Sequence, residues 1–297
     1  MTELLRIAPE VQQALQEGGA VVALETTLVA HGFPPGVGVE VGRAAEAAVR
    51  SEGAVAATVG VLDGQVVVGL DAGELERFGE AGADARKAGP RDLAACVAGG
   101  ALGATTVGGT LAAARLAGIR FMGTGGIGGV HRGFAERPDI SADLAQLART
   151  PALVVSSGVK SLLDVPATAE LLETLGVPVL GYRTDELPLF YSAGGGPPVA
   201  ARVDDAGQAA RMARTHWELG GAALLLARDP EDGIDVEPLI QEALAAAAAQ
   251  GISGQGVTPF VLSFLHESSD GRTLEVNREL IVANARLAAE VAVAATD

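Results

Sequence analysis

The chain holds two lysines, Lys87 and Lys160, among its 21 Lys and Arg residues. Arginine therefore serves almost wherever a surface cation is needed. A lysine that persists against this bias suits work a guanidinium cannot do. Arginine stays protonated and has no free lone pair, whereas a desolvated lysine can lose its proton and attack a sugar C1′ or a carbonyl. Lys160 follows the apolar run Ala152 to Val155 and then Ser156-Ser157-Gly158-Val159. That places it just past a buried strand, where α/β folds carry their sites. Lys87 lies among Asp84-Ala85-Arg86-Lys87-Ala88-Gly89-Pro90-Arg91-Asp92. We read this segment as a polar loop with three cations, either a phosphate site or an ordinary exposed turn.

Glu25 ends the apolar run Val21-Val22-Ala23-Leu24. It is either a surface carboxylate at a strand end or a partly desolvated acid whose raised pKa suits proton donation. His31, six residues on, is either its neighbour or a loop cap. Six glycines fall within the eleven residues Gly123 to Gly133. Gly123 to Gly128 match G-x-G-x-x-G, but no helix opens directly afterwards and no acidic strand end follows about 20 residues on, so a dinucleotide fold is disfavoured. The expectation is a loop whose backbone N–H groups approach an anion, with His131 and Arg132 adding charge. A tight structural turn is the alternative. Downstream, Ser141 is placed to cap a helix with Asp143 in its first turn. That leaves Asp139 over, a carboxylate suited to a hard divalent metal. No His/Cys cluster has zinc-type spacing.

The elements that position these residues follow from hydrophobic period. Ala20 to Leu24, Ile119 to Met122, Ala152 to Val155, Val177 to Leu180 and Ala222 to Leu226 read as short buried strands. Ala54 to Leu62 and Gln65 to Leu70 flank Asp63-Gly64, which suits a type I′ hairpin turn. Helices are expected over Gly38 to Ser51, Gly109 to Ala117, Ala142 to Ala148, Ala167 to Leu175 and Asp205 to Leu219. Others follow over Val236 to Gln250, Pro259 to His266 and Leu274 to Ala294. Gly194 to Pro198 reads as a loop. This alternation predicts a single domain over 1–297, a layered α/β/α fold with a mixed central sheet, a β-hairpin and a helix-rich C-terminal third.

The chain has 297 residues, 48% hydrophobic and 20% charged, with a formal net charge of −16. It can bury a large core. The acidity and the lack of any Lys/Arg-rich run argue against nucleic-acid binding. Met1 to Gly18 lacks the apolar segment of a signal peptide, and no apolar run reaches membrane-spanning length. The lone Cys96 sits among apolar neighbours and reads as a small buried hydrophobe in a reducing compartment. A cytoplasmic protein is expected.

In order along the chain, several segments resemble the pseudouridine-5′-phosphate glycosidase family, whose relatives include indigoidine-synthesis proteins. They are Ala23 to Thr27 with Ala30-His31-Gly32, Gly103 to Val107, Thr124 to Gly133, Asp139 to Leu144 and Lys160 to Asp164. Gly181 to Pro188, Val257 to Phe260 and Asn284 to Ala288 complete the series. The run from Gly125 to Leu144 is the most specific. The resemblance implies cleavage of pseudouridine 5′-phosphate to uracil and ribose 5-phosphate. It implies that Lys160 is a covalent nucleophile, that Glu25 transfers a proton, and that Asp139 binds one divalent metal, manganese, per subunit. It also implies substrate contacts at Lys87, Val107, Ser141, Ala142 and Asp143, and at a C-terminal asparagine, with Asn284 preferred over Asn277; His131 of the glycine-rich loop is counted with them as a substrate-binding candidate. A homotrimer is implied. Glu25-Thr26-Thr27 and Gly158-Val159 depart mildly from the family pattern. A Schiff-base sugar-phosphate aldolase and a non-catalytic nucleotide-binding module are competing readings, distinguished by product and by tolerance of change at Lys160 and Glu25.

Overall fold

The computed structural model describes residues 3–252 and 256–296, and the side chains of Thr258 and Pro259, within one of the matching segments, lie outside the described residues. Eleven strands form one sheet. Along its main path run Leu5–Ile7, Gln65–Val68, Val55–Leu62, Val21–Glu25, Phe121–Gly123, Leu153–Ser156, Leu224–Arg228, Val179–Tyr182 and Ala201–Val203. Neighbours are parallel from Val55–Leu62 onward. Val55–Leu62 itself pairs antiparallel with Gln65–Val68. Asp63 and Gly64 both have positive φ, 52° and 77°, as the expected I′ turn requires. The sheet is therefore mixed, as read from the sequence.

All five residues of Val21–Glu25 are buried. Successive strand side chains point to opposite faces, so both faces of the sheet are covered there. On one of them the long helix Arg272–Ala294 crosses Val21–Glu25, Phe121–Gly123 and Leu153–Ser156 and packs beside the helix Val37–Ser51. No helix among the described residues is long and apolar enough to cross a membrane. Cys96 is free and fully buried.

Several strands begin one or two residues later than their apolar runs. Ile119 and Val177 are buried but not in strands. Each follows a glycine with positive φ and donates its N–H back into the preceding helix, Ile119 to Ala114 and Val177 to Leu172, both at 2.9 Å. The residue after such a helix-ending glycine packs against the helix and so looks like the start of a strand.

Two expectations are corrected. Gly195–Pro198 is not a free loop but a strand paired antiparallel with Glu186–Pro188. The Gly195 N–H also donates to the Glu186 carboxylate at 2.7 Å. Glycine and proline hide such a strand because they lack strand propensity. Lys87 lies not in a loop but in the strand Arg86–Ala88, parallel to Gly103–Thr105. The helix Ala72–Ala81 was not anticipated, although Asp71 and Glu74 form a full capping box. The spacing Asp-x-x-Glu was its signal.

Candidate active site

Glu25, Thr27, Lys87 and Lys160 form the seam between two cavities. The larger, about 800 Å³, is walled by Gly125, Gly126, Phe190, Tyr191, Asn277 and Ile281 among others. The smaller, about 310 Å³, is more polar and is lined by Arg91, Thr106, His131, Asp139, Ser141, Ala142 and Asp143. Lys160 is half-buried and faces both.

The parallel strands bring the reactive residues together. Glu25 ends its strand at the carboxyl edge of the sheet, where open α/β sheets hold their sites. It is 5% exposed and accepts a hydrogen bond from the Thr124 hydroxyl. Burial raises its pKa above the ordinary carboxyl range, while the Lys160 charge and the Thr124 hydroxyl pull it partly back. Of the two readings of Glu25, the desolvated acid is the one realised. The hydroxyls of Thr26 and Thr27 bond to backbone carbonyls instead. The Thr26 hydroxyl donates to the Val59 carbonyl at 2.8 Å and Thr27 to the Ala104 carbonyl at 3.1 Å. Both thus tie the Glu25 strand end to its neighbours.

Lys160 hangs between two supports. Its N–H donates to the Ile127 carbonyl at 3.2 Å, and its segment runs beside the glycine-rich loop. Lys87 approaches from the opposite strand. Burial lowers its pKa, with the charge of Lys160 next in importance, while Asp143, Glu25 and Asp139 act the other way. These mutual influences put two amines and three carboxylates in one electrostatic neighbourhood.

In the glycine-rich loop, read from the sequence as an anion-binding loop, part of the backbone is already engaged within the protein. Its glycines serve close packing. A Cβ at Gly126 would come within 2.5 Å of the Phe190 ring, at Gly128 within 2.3 Å of the Ser141 hydroxyl, and at Gly129 within 2.3 Å of Thr168. The N–H groups of Thr124, Ile127, Gly128, Val130 and His131 are all bonded within the protein. Arg132 does not add charge to the site. It donates to Glu237 through two nitrogens, at 2.6 and 2.9 Å, and to the carbonyls of Ser161 and Leu163. Its charge is matched before any ligand arrives.

Ser141 caps the helix Ala142–Leu147 by accepting from the Asp143 N–H at 3.2 Å, as expected. Asp143 does more than sit in a first turn. It is 4% exposed and accepts from the N–H groups of Gly108 at 2.7 Å and Gly128 at 2.9 Å. It clamps the glycine-rich loop to the start of the helix Val107–Ala117. Val107 is wholly buried and is not among the residues lining either cavity.

Asn284 and Asn277, the two candidate asparagines, occupy different places. Asn284 is fully buried, and its amide donates to the carbonyls of Thr124 and Gly125 and to the Ser157 hydroxyl. It fastens the C-terminal helix to the loop beneath the site. Asn277, two helical turns earlier, lines the larger cavity. Asn284→Ala is expected to lower stability by about 2–3 kcal/mol, because it strands buried carbonyls. Asn277→Ala should leave stability nearly unchanged and raise KM for substrate about tenfold, the scale of one hydrogen bond. Urea unfolding and steady-state kinetics on both variants check this.

His31 donates through Nε2 to the Ala85 carbonyl, 2.9 Å away, and lines the larger cavity. Asp139 is partly exposed, with one oxygen 3.9 Å from His131 Nε2. Among the described residues no group of three or more His, Cys, Asp or Glu side chains could hold a metal. A single open carboxylate does not make a cage. It does fit a hard divalent ion that keeps most of its waters. Arg91, Thr106 and Thr124 are site residues that the sequence did not single out. Arg91 was visible only as one of three cations in a row.

The chain was compared with known proteins. A family model described as indigoidine synthase A like protein matches residues 10–294. A pseudouridine-5′-phosphate glycosidase from Chloroflexus aurantiacus is 49% identical over 299 residues, covering 98% of either chain. One from Streptomyces griseus is 50% identical, covering 98% of this chain and 92% of its own. Among solved structures, the prealnumycin C-glycosynthase AlnA in complex with ribulose 5-phosphate superposes with a TM-score of 0.91 at 43% identity, covering 99% of this chain and 97% of its own. An indigoidine synthase A-like protein from Thermotoga maritima gives 0.89 at 36% identity, with the same coverage.

Proposed function

Because this chain belongs to the indigoidine synthase A like family, we propose that it is a C-glycosidase that cleaves pseudouridine 5′-phosphate to uracil and ribose 5-phosphate. The observation that carries the reading is the seam of Glu25, Lys87 and Lys160 between an apolar cavity and a polar one. The apolar cavity is of a size to take the base. The polar one, with Lys87, Arg91, Thr106 and Ser141, suits the 5′-phosphate. The sugar then lies against Lys160 and Glu25.

The bond to be broken joins C1′ of ribose to C5 of uracil, and a carbon leaving group is poor. Two-carboxylate glycosidase chemistry expels oxygen instead. Lys160, as the neutral amine, attacks C1′. The bond from C1′ to the ring oxygen breaks, and that oxygen takes the proton of Glu25. The Glu25 carboxylate then accepts the proton that the new C1′–N ammonium sheds, and delivers it to C5. The nitrogen lone pair forms a C=N bond as the C1′–C5 electrons return to the pyrimidine ring, and uracil departs neutral. Water hydrolyses the imine, frees Lys160 and completes ribose 5-phosphate. Each step can run backwards through the same transition state, so the same groups serve synthesis. Glu25 is suited to these three proton transfers by its burial.

Asp139 is the residue to hold manganese, with His131 beside it. A bound divalent ion there would balance phosphate charge and orient nearby oxygens. Asp139→Asn is expected to weaken manganese binding about tenfold or more. Calorimetric titration reads this directly, and the manganese dependence of turnover should shift in parallel. We take the working form to be a cytoplasmic homotrimer, which sedimentation can test. The reading itself is tested by incubating purified protein and manganese with pseudouridine 5′-phosphate and following uracil by chromatography. Release of an aldehyde fragment without uracil would favour a sugar-phosphate aldolase instead.

A further inference from the structure

The ribbon of Glu186–Pro188 and Gly195–Pro198 stands apart from the main sheet. The turn it carries, Leu189 to Ser192, lies against the segment that bears Lys160. The Phe190 N–H donates to the Ser157 carbonyl at 3.1 Å. The Ser161 hydroxyl donates to the Leu189 carbonyl at 2.8 Å. Gly158 and Leu189 pair as an isolated antiparallel bridge. Residues on both sides of Lys160 are thus tied to one turn, while the Lys160 N–H is tied to Ile127 on the glycine-rich loop.

This approach is close and strained. Gly158 has φ +78°, and a Cβ there would come within 2.2 Å of the Pro188 carbonyl oxygen. Phe190 has φ +64°, a region that aromatic residues rarely occupy. Such backbone persists only where its surroundings over-determine it, and it clusters at functional sites. Here the Phe190 ring is 4% exposed and packs on Gly126. Behind it, the Tyr191 carbonyl accepts from the Ile234 N–H at 2.7 Å, and the Ser192 hydroxyl donates to the Ile234 carbonyl at 2.9 Å. The turn is held from both sides.

We propose that the Leu189 to Ser192 turn is a positioning device for Lys160, acting through the hydrogen bond from the Ser161 hydroxyl to the Leu189 carbonyl. Ser161 is a positioning residue: it sets the direction from which the amine meets C1′ and transfers no proton. The inference rests on Lys160 being the nucleophile. A long flexible side chain gains rate from a fixed base, since misplacing a reacting atom by about 1 Å can cost about 10²-fold.

The test compares Ser161→Ala and Ser161→Thr with the wild type. It reads kcat and KM for pseudouridine 5′-phosphate, the rate of borohydride-trapped adduct at Lys160 with ribose 5-phosphate, and the melting temperature. Ser161→Ala should lower kcat and the trapping rate together by about 10- to 100-fold, with KM nearly unchanged. Ser161→Thr, which keeps the hydroxyl, should recover most of the loss. Should Ser161→Ala fail to fold, Phe190→Leu loosens the same turn from Gly126 and should lower the rate of trapping with ribose 5-phosphate likewise, while KM for the nucleotide also changes because Phe190 walls the larger cavity. Wild-type kcat and trapping in Ser161→Ala overturn the inference and leave the lysine chemistry standing. Equal losses in Ala and Thr variants that track a fall in melting temperature also overturn it, in favour of a purely structural role. A wild-type protein that gives no adduct at Lys160 overturns the lysine chemistry and this inference with it.

Discussion

Lys160→Arg is expected to lower uracil release from pseudouridine 5′-phosphate by at least about 10⁴-fold, the scale on which covalent enzymes lose rate when the nucleophile is removed. The fold should be retained. Lys160 holds its place through a backbone hydrogen bond to Ile127, which the substitution does not touch. Arginine keeps the positive charge beside Glu25 and Lys87, so substrate affinity should change far less than rate. What it cannot do is present a lone pair to C1′. Mass spectrometry after borohydride treatment with ribose 5-phosphate should find added mass on the wild-type Lys160 peptide and none on the variant. Turnover by Lys160→Arg at an ordinary rate would remove the covalent step from the mechanism.

Glu25→Gln comes second, with a loss of about 10²–10⁴-fold, the range for a positioned acid–base group. It also makes an opposite prediction for stability. Burial raises the Glu25 pKa, so the folded protein holds this proton more tightly than the unfolded chain. The resulting stabilisation is fully present below the unfolded pKa and is lost as pH rises through the raised folded value. Above that value the buried carboxylate is charged, and it is then a liability that glutamine lacks. The variant should therefore melt at a higher temperature than wild type at neutral to alkaline pH, with the gap closing as pH falls. In the proposed mechanism the acid form of Glu25 starts the reaction, so wild-type kcat should also decline as pH rises through the same value. A parallel set of melting curves and pH–rate profiles checks both signs. A variant that is less stable at every pH would mean that the Thr124 hydrogen bond outweighs desolvation.

Some of the site was legible because its signal is local. Val21 to Leu24 and Leu153 to Val155 are apolar without interruption, which only a strand covered on both faces explains in so short a run. Asp63-Gly64 states its turn by residue type. A lysine just past one buried strand and a glutamate at the end of another are brought together by parallel pairing through the strand Phe121–Gly123. Arg132 was misread for the opposite reason. Its partner Glu237 lies 105 residues away, and no local pattern says which of two neighbours, His131 or Arg132, turns toward the cavity. The glycine-rich loop stayed open between two readings because glycine is needed both where an anion meets backbone and where another chain segment does. Only the positions of Phe190, Ser141 and Thr168 distinguish these.

By itself, then, the order of residues determined which functional groups exist, which runs become strands, and that Lys160 and Glu25 end up at the same edge of a sheet. Those are properties of side-chain chemistry and of short-range periodicity. The tertiary structure alone decided which asparagine reaches the cavity, which cations are already neutralised, that Lys87 rides on a strand, and that a strained turn backs Lys160. Each of these depends on contacts between segments far apart in the chain, whose meeting is set by the packing of the whole core.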